Sequence, residues 1–307
     1  MRNEFAKEIT KLALSNSDLI LLSGDIGNRL FDTLKQERAE QFVNCGVAEA
    51  NMIGVACGLG MGGFKPFVYT ITPFVTTRCL EQIRVDLAYH EAPVTVVGTG
   101  SGLSYASLGP THHSLEDFAI FKAIPNMSIY APWDRASLRS CISKCFESHG
   151  PNYIRIGKKG EPEITEQNST LNVSGYHQIG QGGKLGIISV GTIASESLLA
   201  QKILEEKKIK NTVYLFQQIK PFPCEAITDV LSKHEKILIV EEHSKIGGFG
   251  ESVKSFVCDN RLKNHIINLG TCDKFLPTVG NQNFARSFFK INSTAITDAG
   301  LILTENA

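Results

Sequence analysis

Several stretches of this 307-residue sequence place acid–base or ligand-binding side chains where the chain changes direction. In GVAEANMIGVACGLGMGG (46–63), Glu49 stands at a strand-to-helix junction. The helix dipole alone favours an acid there. The competing reading is a partly buried carboxylate that hydrogen-bonds a ligand nitrogen, with burial suiting it to hold or share a proton. In VYTITPFVTTRCLEQIR (68–84), Phe74 follows Pro73 at the start of a helix. It is either a core residue or an aromatic platform for a flat heterocycle. Arg78, Glu81 and Gln82 extend along the same helix and read as surface or interface contacts.

A third stretch, GTGSGLSYASLGPTHHSLEDF (98–118), runs from a strand through a Gly/Ser-rich loop to His112 and His113. Its glycines follow G-x-G-x-G, not the G-x-G-x-x-G of a dinucleotide loop. Adjacent histidines at the carboxyl end of a strand are more informative, because open α/β sheets bind ligands there. Of the two, His112 is the candidate proton carrier and His113 reads as an exposed or capping residue. Arg155, inside NYIRIGKKG, is either paired with a buried acid or waits for an anion, and Lys158 and Lys159 lean toward the anion. In VEEHSKIGGFGESV (240–253), the run Glu241, Glu242, His243 cannot turn all three side chains toward one ion from a strand, so it reads as structural or interfacial.

Alternating elements must position these groups. Strand-like runs at 19–25, 41–46, 65–71, 93–100, 127–132 and 152–158 alternate with helical spacing at 48–62, 74–88, 115–123 and 134–148, the last with Asp134 as N-cap candidate. That alternation means parallel βαβ units. Residues 159–183 turn polar and read as a linker, with a short strand near Tyr176. The pattern then restarts with strands at 185–191, 212–220, 236–243 and 265–270. The expected division is 1–160, linker 161–183, and a smaller α/β domain over 184–307.

Composition excludes several classes. Lys+Arg and Asp+Glu both number 31, so no excess positive charge offers a nucleic acid or an anionic lipid a face. No window reaches the roughly 18–20 apolar residues of a membrane span. The first residues form an amphipathic helical pattern (Phe5, Ile9, Leu12) with acids and no cleavable signal, which makes the cytoplasm the expected location. The 8 cysteines form no CxxC and read as buried, reduced thiols.

In order along the chain, GDIG (24–27), GVAEANMIGVACGLG (46–60), the Phe74 helix with its EQIR, GPTHHSLED (109–117), GT (191–192), IKPF (219–222) and VEEH…GGFGE resemble the carboxyl-terminal half of transketolase. The resemblance covers essentially the whole chain. It implies a pyrimidine-binding domain of parallel α/β type followed by a smaller α/β carboxyl-terminal domain. Similar pairs occur in 1-deoxyxylulose-5-phosphate synthase and in the beta subunits of 2-oxoacid dehydrogenases. It further implies thiamine diphosphate, with transfer of a two-carbon ketol unit from a ketose to an aldose. Glu49 then matches the acid that bonds the pyrimidine N1′, Phe74 the aromatic that stacks on that ring, and Ile71 replaces a second aromatic beside it. His112 matches a histidine near the substrate oxygens, Arg155 an arginine clamping a sugar phosphate, and Asp25 of GDIG a further substrate contact.

Two further departures touch the substrate. Leu108 stands where transketolases carry an Asp before G-P-T-H, and Gly100 where sugar-phosphate transketolases place a histidine. Both point to a modified sugar. The Gly-Asp-Gly and downstream Asn that hold the diphosphate through Mg²⁺ are absent. The expectation is a split enzyme: an amino-terminal subunit supplies diphosphate site and metal, active sites lie between chains, and the assembly is a heterotetramer. The alternatives are a 2-oxoacid dehydrogenase beta subunit, which the G-P-T-H run disfavours, and a non-catalytic regulatory module of the same fold.

Overall fold

The computed structural model describes residues 1–27, 29–158, 160–165 and 175–305. Lys159 and most of the expected linker lie outside the described residues. Six strands are parallel in a first sheet: β1 (Leu19–Ser23), β2 (Phe42–Asn44), β3 (Lys65–Ile71), β4 (Thr95–Thr99), β5 (Ser128–Tyr130) and β6 (Asn152–Ile156). The second sheet holds β7 (Tyr176–Ile179), β8 (Leu185–Val190), β9 (Asn211–Phe216), β11 (Lys236–Ser244) and β12 (His265–Thr271) in the order β12-β11-β8-β9-β7, with β7 antiparallel at the edge.

Alternation along the strands sorts the core. In β1, Leu19 and Leu21 face one side with Phe5, Phe67 and Tyr69, while Ile20 and Leu22 face the other with Met52, Val68 and Val96. Successive side chains of a strand point to opposite faces, so a strand covered on both sides reads as an unbroken apolar run. The second of these clusters continues into the other domain through Ile129, Ile188 and Phe216, so the two domains share packed surface.

One expected strand divides. Residues 212–220 become β9 and then β10 (Gln218–Lys220), which leaves the second sheet and pairs antiparallel with β5 at the edge of the first. The Gln217 carbonyl between them accepts from the Ala131 amide at 2.7 Å. A free edge in the neighbouring domain captures the end of the run, which periodicity cannot foresee. The helix expected over 74–88 also breaks, into Thr72–Val75, Leu80–Gln82 and a wider i→i+5 helix Ile83–Tyr89. Such wider turns concentrate at functional sites. Asp134 does cap its helix, Arg135–Glu147: its carboxylate accepts from the Ser137 amide at 2.8 Å and also from Thr165 N at 2.7 Å.

The order of the first sheet, β10-β5-β6-β4-β3-β1-β2, sets the site. From β1 the chain goes to β2 on one side and then crosses back to β3 on the other. Strand order reverses there, which opens a crevice at the carboxyl ends of β1 and β3. The crossover helix Glu49–Met61 begins at that crevice.

Candidate active site

Glu49 opens the crossover helix and is 4% exposed. A buried acid in the first helical turn is stabilised by the dipole only in part, so the rest of its environment matters. Its Oε2 accepts from Arg78 Nη1 at 3.0 Å. Behind it, Gly24 ends the run from β1. A Cβ at Gly24 would meet Thr70 Oγ1 at 3.0 Å and Glu49 Cγ at 3.4 Å, so only glycine lets these three elements close together. The Thr70 hydroxyl beside them is buried and has no hydrogen-bond partner.

Arg78 spans two candidates. Its guanidinium carbon lies 4.2 Å from the centre of the half-buried Phe74 ring while its Nη1 holds Glu49. The bland reading of Arg78 as a surface contact is therefore replaced by a place in the site, reached because the break after Val75 turns it back over Phe74. Phe74 in turn meets the His112 ring edge-on at 5.2 Å, and His112 meets Tyr105 at 5.9 Å. Lys158 Nζ lies 4.6 Å from the centre of the Tyr105 ring. Glu49, Arg78, Phe74, His112, Tyr105 and Lys158 thus form one continuous line of contacts, drawn from five separate segments of the first domain.

His112 sits in the loop after β4. Its Nδ1 lies 2.9 Å from Thr111 Oγ1, which leaves Nε2 for another partner. Partial burial pushes its pKa below the usual histidine range, so the ring is neutral near pH 7 and offers one donor and one acceptor nitrogen. His113 is buried, against the expectation of an exposed residue, and its Nε2 has no hydrogen-bond partner. Burial likewise pushes its pKa down.

Arg155 corrects the expectation of a sugar-phosphate clamp. It is 4% exposed, and its Nε donates to Asp117 Oδ2 at 2.8 Å. Its Nη2 donates to the carbonyls of Ser114 at 2.9 Å and Glu242 at 2.8 Å, and its plane lies on the Phe118 ring at 4.5 Å. The guanidinium is committed to the fold, because β6 is central and its inward side chains meet the second domain. The cationic position near the site is Lys158, two residues beyond the strand. It borders a cavity of about 840 Å³ that Arg2, Arg29 and Arg135 also line. The KK pair after NYIRIG was the signal for it.

Ile71 is half-buried at the end of β3 and leads into the Thr72–Val75 helix, next to the crevice. Asp25 is exposed after β1 in a left-handed conformation, φ 55°, and its Oδ1 accepts from Asn44 Nδ2 at 3.0 Å. Neither joins the line of contacts above. Leu108 is half exposed at the end of the short turn Ala106–Leu108.

Glu241, Glu242 and His243 are fully buried and structural, as the sequence suggested. Glu241 accepts from Phe249 N at 2.6 Å and Gly250 N at 3.0 Å, capping the helix Phe249–Asp259, and burial raises its pKa to about 7 against those donors. Glu242 accepts from Leu103 N at 2.7 Å and Arg286 Nε at 2.5 Å. His243 Nε2 accepts from Phe118 N at 3.1 Å, and burial lowers its pKa to about 4. Among the described residues no cluster of His, Cys, Asp and Glu could hold a metal. All 8 cysteines are free, but Cys224, Cys258 and Cys272 are exposed, contrary to the expectation of buried thiols throughout.

A group with a flat, hydrogen-bonding, cationic ring fits here. Arg78 already fills that role: a planar cation lies on Phe74 and is held by the buried Glu49 carboxylate. An aminopyrimidine has the same planarity and donor capacity, so the residues fit the pyrimidine end of thiamine diphosphate once Arg78 turns aside. No counterpart for a metal-bound diphosphate exists among the described residues.

Residues 1–161 match the family "Transketolase, pyrimidine binding domain", and residues 176–296 match "Transketolase, C-terminal domain". One of the two subunits of an apulose-4-phosphate transketolase of Phocaeicola vulgatus is 33% identical over 87% of this chain and 86% of its own length. The 6-deoxy-6-sulfo-D-fructose transketolase subunit SqwH of a Clostridium species is 30% identical over 98% and 91%. Among solved structures, a split gene transketolase described as an inactive beta4 tetramer superposes with TM-score 0.88 at 26% identity, covering 98% of this chain and 97% of that one. A transketolase of Pichia stipitis in complex with sedoheptulose 7-phosphate shares the fold, with TM-score 0.81 at 20% identity, and this chain spans 45% of it. The chain belongs to the transketolase family and carries that family's pyrimidine-binding and carboxyl-terminal domains in sequence.

Proposed function

We propose that this chain is the carboxyl-terminal subunit of a split thiamine-diphosphate-dependent transketolase that moves a two-carbon ketol unit from a ketose to an aldose. The observation that carries it is the buried Glu49 carboxylate holding a planar cation against the Phe74 ring. When bound, thiamine diphosphate supplies the electron sink for breaking the carbon–carbon bond beside a ketose carbonyl. The chain's own residues do the rest. Glu49 holds or shares a proton at Oε2, the oxygen now facing Arg78. Phe74 presents a ring face, and Ile71 walls the strand end beside it. His112, neutral and with Nε2 free, donates to or accepts from substrate oxygens. Lys158 and Arg2 offer cationic ends to an anionic group on the sugar, the role first expected of Arg155. Asp25 contributes a further polar contact at the crevice mouth.

Mg²⁺ and the diphosphate belong, on this reading, to an amino-terminal partner subunit. Val47, Val55 and Met61 are exposed around the Glu49 helix and give that partner, or a second copy of this chain, an apolar edge to cover in a heterotetramer. The relatives named for apulose 4-phosphate and for sulfofructose act on unusual sugars. With Leu108 in place of an acceptor, we assign this chain a modified sugar as well. No described helix is long and apolar enough to cross a membrane, and we place the enzyme in the cytoplasm.

The test is reconstitution. The isolated chain should bind thiamine diphosphate with Mg²⁺ no more tightly than millimolar by calorimetry, and addition of an amino-terminal transketolase subunit should confer both binding and transfer. Micromolar binding by this chain alone would contradict the division of the site.

A further inference from the structure

Gly100 and Tyr105 compete for one volume. Gly100 has φ +73°, and a Cβ built on it would lie 1.8 Å from Tyr105 Cε2 and 2.2 Å from Cδ2. No side chain at residue 100 coexists with this ring, and the backbone conformation disfavours one in any case. The ring is held from both ends of its segment: Ala106 N donates to Leu103 O at 2.9 Å, and Leu108 N to Tyr105 O at 2.8 Å. It is almost wholly buried, yet its contacts are with site residues: His112 at 5.9 Å and Lys158 Nζ at 4.6 Å.

Lys158 lies on the rim of the cationic cavity described above, half-buried after β6. A flexible ammonium held over an aromatic ring loses few of its donors, because the ring attracts the charge without occupying its hydrogens. Tyr105 therefore sits between the proton carrier and the charge that would meet the far end of a sugar.

We propose that Tyr105 is a specificity-determining residue: it takes the space of any side chain at residue 100 and presents Lys158 to the anionic end of a sugar. The ligand class is a sugar whose terminal carbon carries a tetrahedral oxyanion, a phosphate ester or a sulfonate. The assignment rests on the substrate site proposed above. Its recognition is by charge beside an aromatic wall, without a hydrogen-bonding side chain from residue 100. Leu108, three residues on in the same turn, extends that wall with a second side chain that can neither donate nor accept.

The experiment uses the intact chain and needs no cofactor. Side-chain NMR of Lys158 is followed while ribose 5-phosphate, ribose or 2-hydroxyethanesulfonate is titrated into the parent, Tyr105→Phe and Tyr105→Leu. Ribose 5-phosphate or the sulfonate should shift the Lys158 signal and ribose should not; the tighter anion identifies the source. Tyr105→Phe should keep the affinity within about twofold, and Tyr105→Leu should weaken it roughly tenfold, the scale of a partly desolvated cation–π contact. As a second readout, Gly100→Ala should lower the melting temperature less in the Tyr105→Leu background than in the parent. Equal affinity of Tyr105→Leu and parent, or no response of Lys158 to either anion, overturns the assignment. These outcomes are independent of catalysis: failure of ketol transfer in the reconstituted complex would sink the proposed function while leaving the binding result standing.

Discussion

Replacing Arg155 by methionine distinguishes a buried fastener from a substrate clamp. Arg155 is 4% exposed and Asp117 is fully buried. In the variant, Asp117 Oδ2 keeps only the Tyr153 hydroxyl at 2.7 Å, and its Oδ1 already lacks a hydrogen-bond partner. Removing one member of a buried ion pair leaves an uncompensated charge and costs roughly 3–5 kcal/mol. The Glu242 carbonyl also loses a donor, whereas the Ser114 carbonyl still accepts from Gly102 N at 3.1 Å. The expected loss is therefore about 4 kcal/mol. At an m value of roughly 3 kcal/mol per M, the urea midpoint should fall by roughly 1–2 M. Adding Asp117→Asn to Arg155→Met neutralises the stranded carboxylate and should recover about 1 kcal/mol or more, a coupling readable in a double-mutant cycle. A single variant within about 1 kcal/mol of the parent that instead raised the KM for a sugar phosphate would refute this reasoning and restore the clamp.

Glu49→Gln should leave the urea midpoint nearly unchanged, since the amide can still accept from Arg78, and should cut turnover of the reconstituted complex by roughly 10²-fold or more; turnover within a few-fold of the parent removes Glu49 from proton transfer. Leu108→Asp should improve kcat/KM for xylulose 5-phosphate with ribose 5-phosphate, a pair the unmodified complex should use poorly because a sugar hydroxyl facing Leu108 forgoes roughly 1–3 kcal/mol of hydrogen bonding. Efficient turnover of that pair by the unmodified complex defeats the modified-sugar reading. His243 has its pKa lowered to about 4, so it stays neutral in the fold and charges in the unfolded chain from about 6.5 downward. Its contribution is present above pH 6.5 and is lost as pH falls toward 4, on the order of 3 kcal/mol. Glu241, with its pKa raised to about 7, acts in the opposite sense and destabilises as pH rises from about 4.5 to 7. Urea unfolding of His243→Gln at pH 5 and pH 7.5 should show a weaker acid loss than the parent, and an unchanged slope would reject the assignment to His243.

The order of elements and the family were legible in the chain because each rests on local information. Apolar runs such as LILLS and KPFVYTI are buried on both faces, and the chain pattern states that directly. Asp134 and Ser137 form a cap within one turn. Glu49, Phe74 and His112 were found through spacing at strand ends, where an α/β sheet must open. Local patterns could not say what each side chain meets. Arg155 looks the same in sequence whether it faces an anion or Asp117, and only the approach of β11 and of the helix Asp117–Ala123 to β6 commits it to the fold. The tail of 212–220 left its own sheet because β5 offered an open edge, a partner 88 residues away in Gln218↔Tyr130. Arg78 joined Glu49 and Phe74 because the helix breaks after Val75, and Lys158 joined the site through Tyr105. Chain chemistry thus determined which groups were available and roughly where. Long-range packing decided which of them were spent on the fold and which were left to face a substrate, since a buried charge must first satisfy its nearest neighbours.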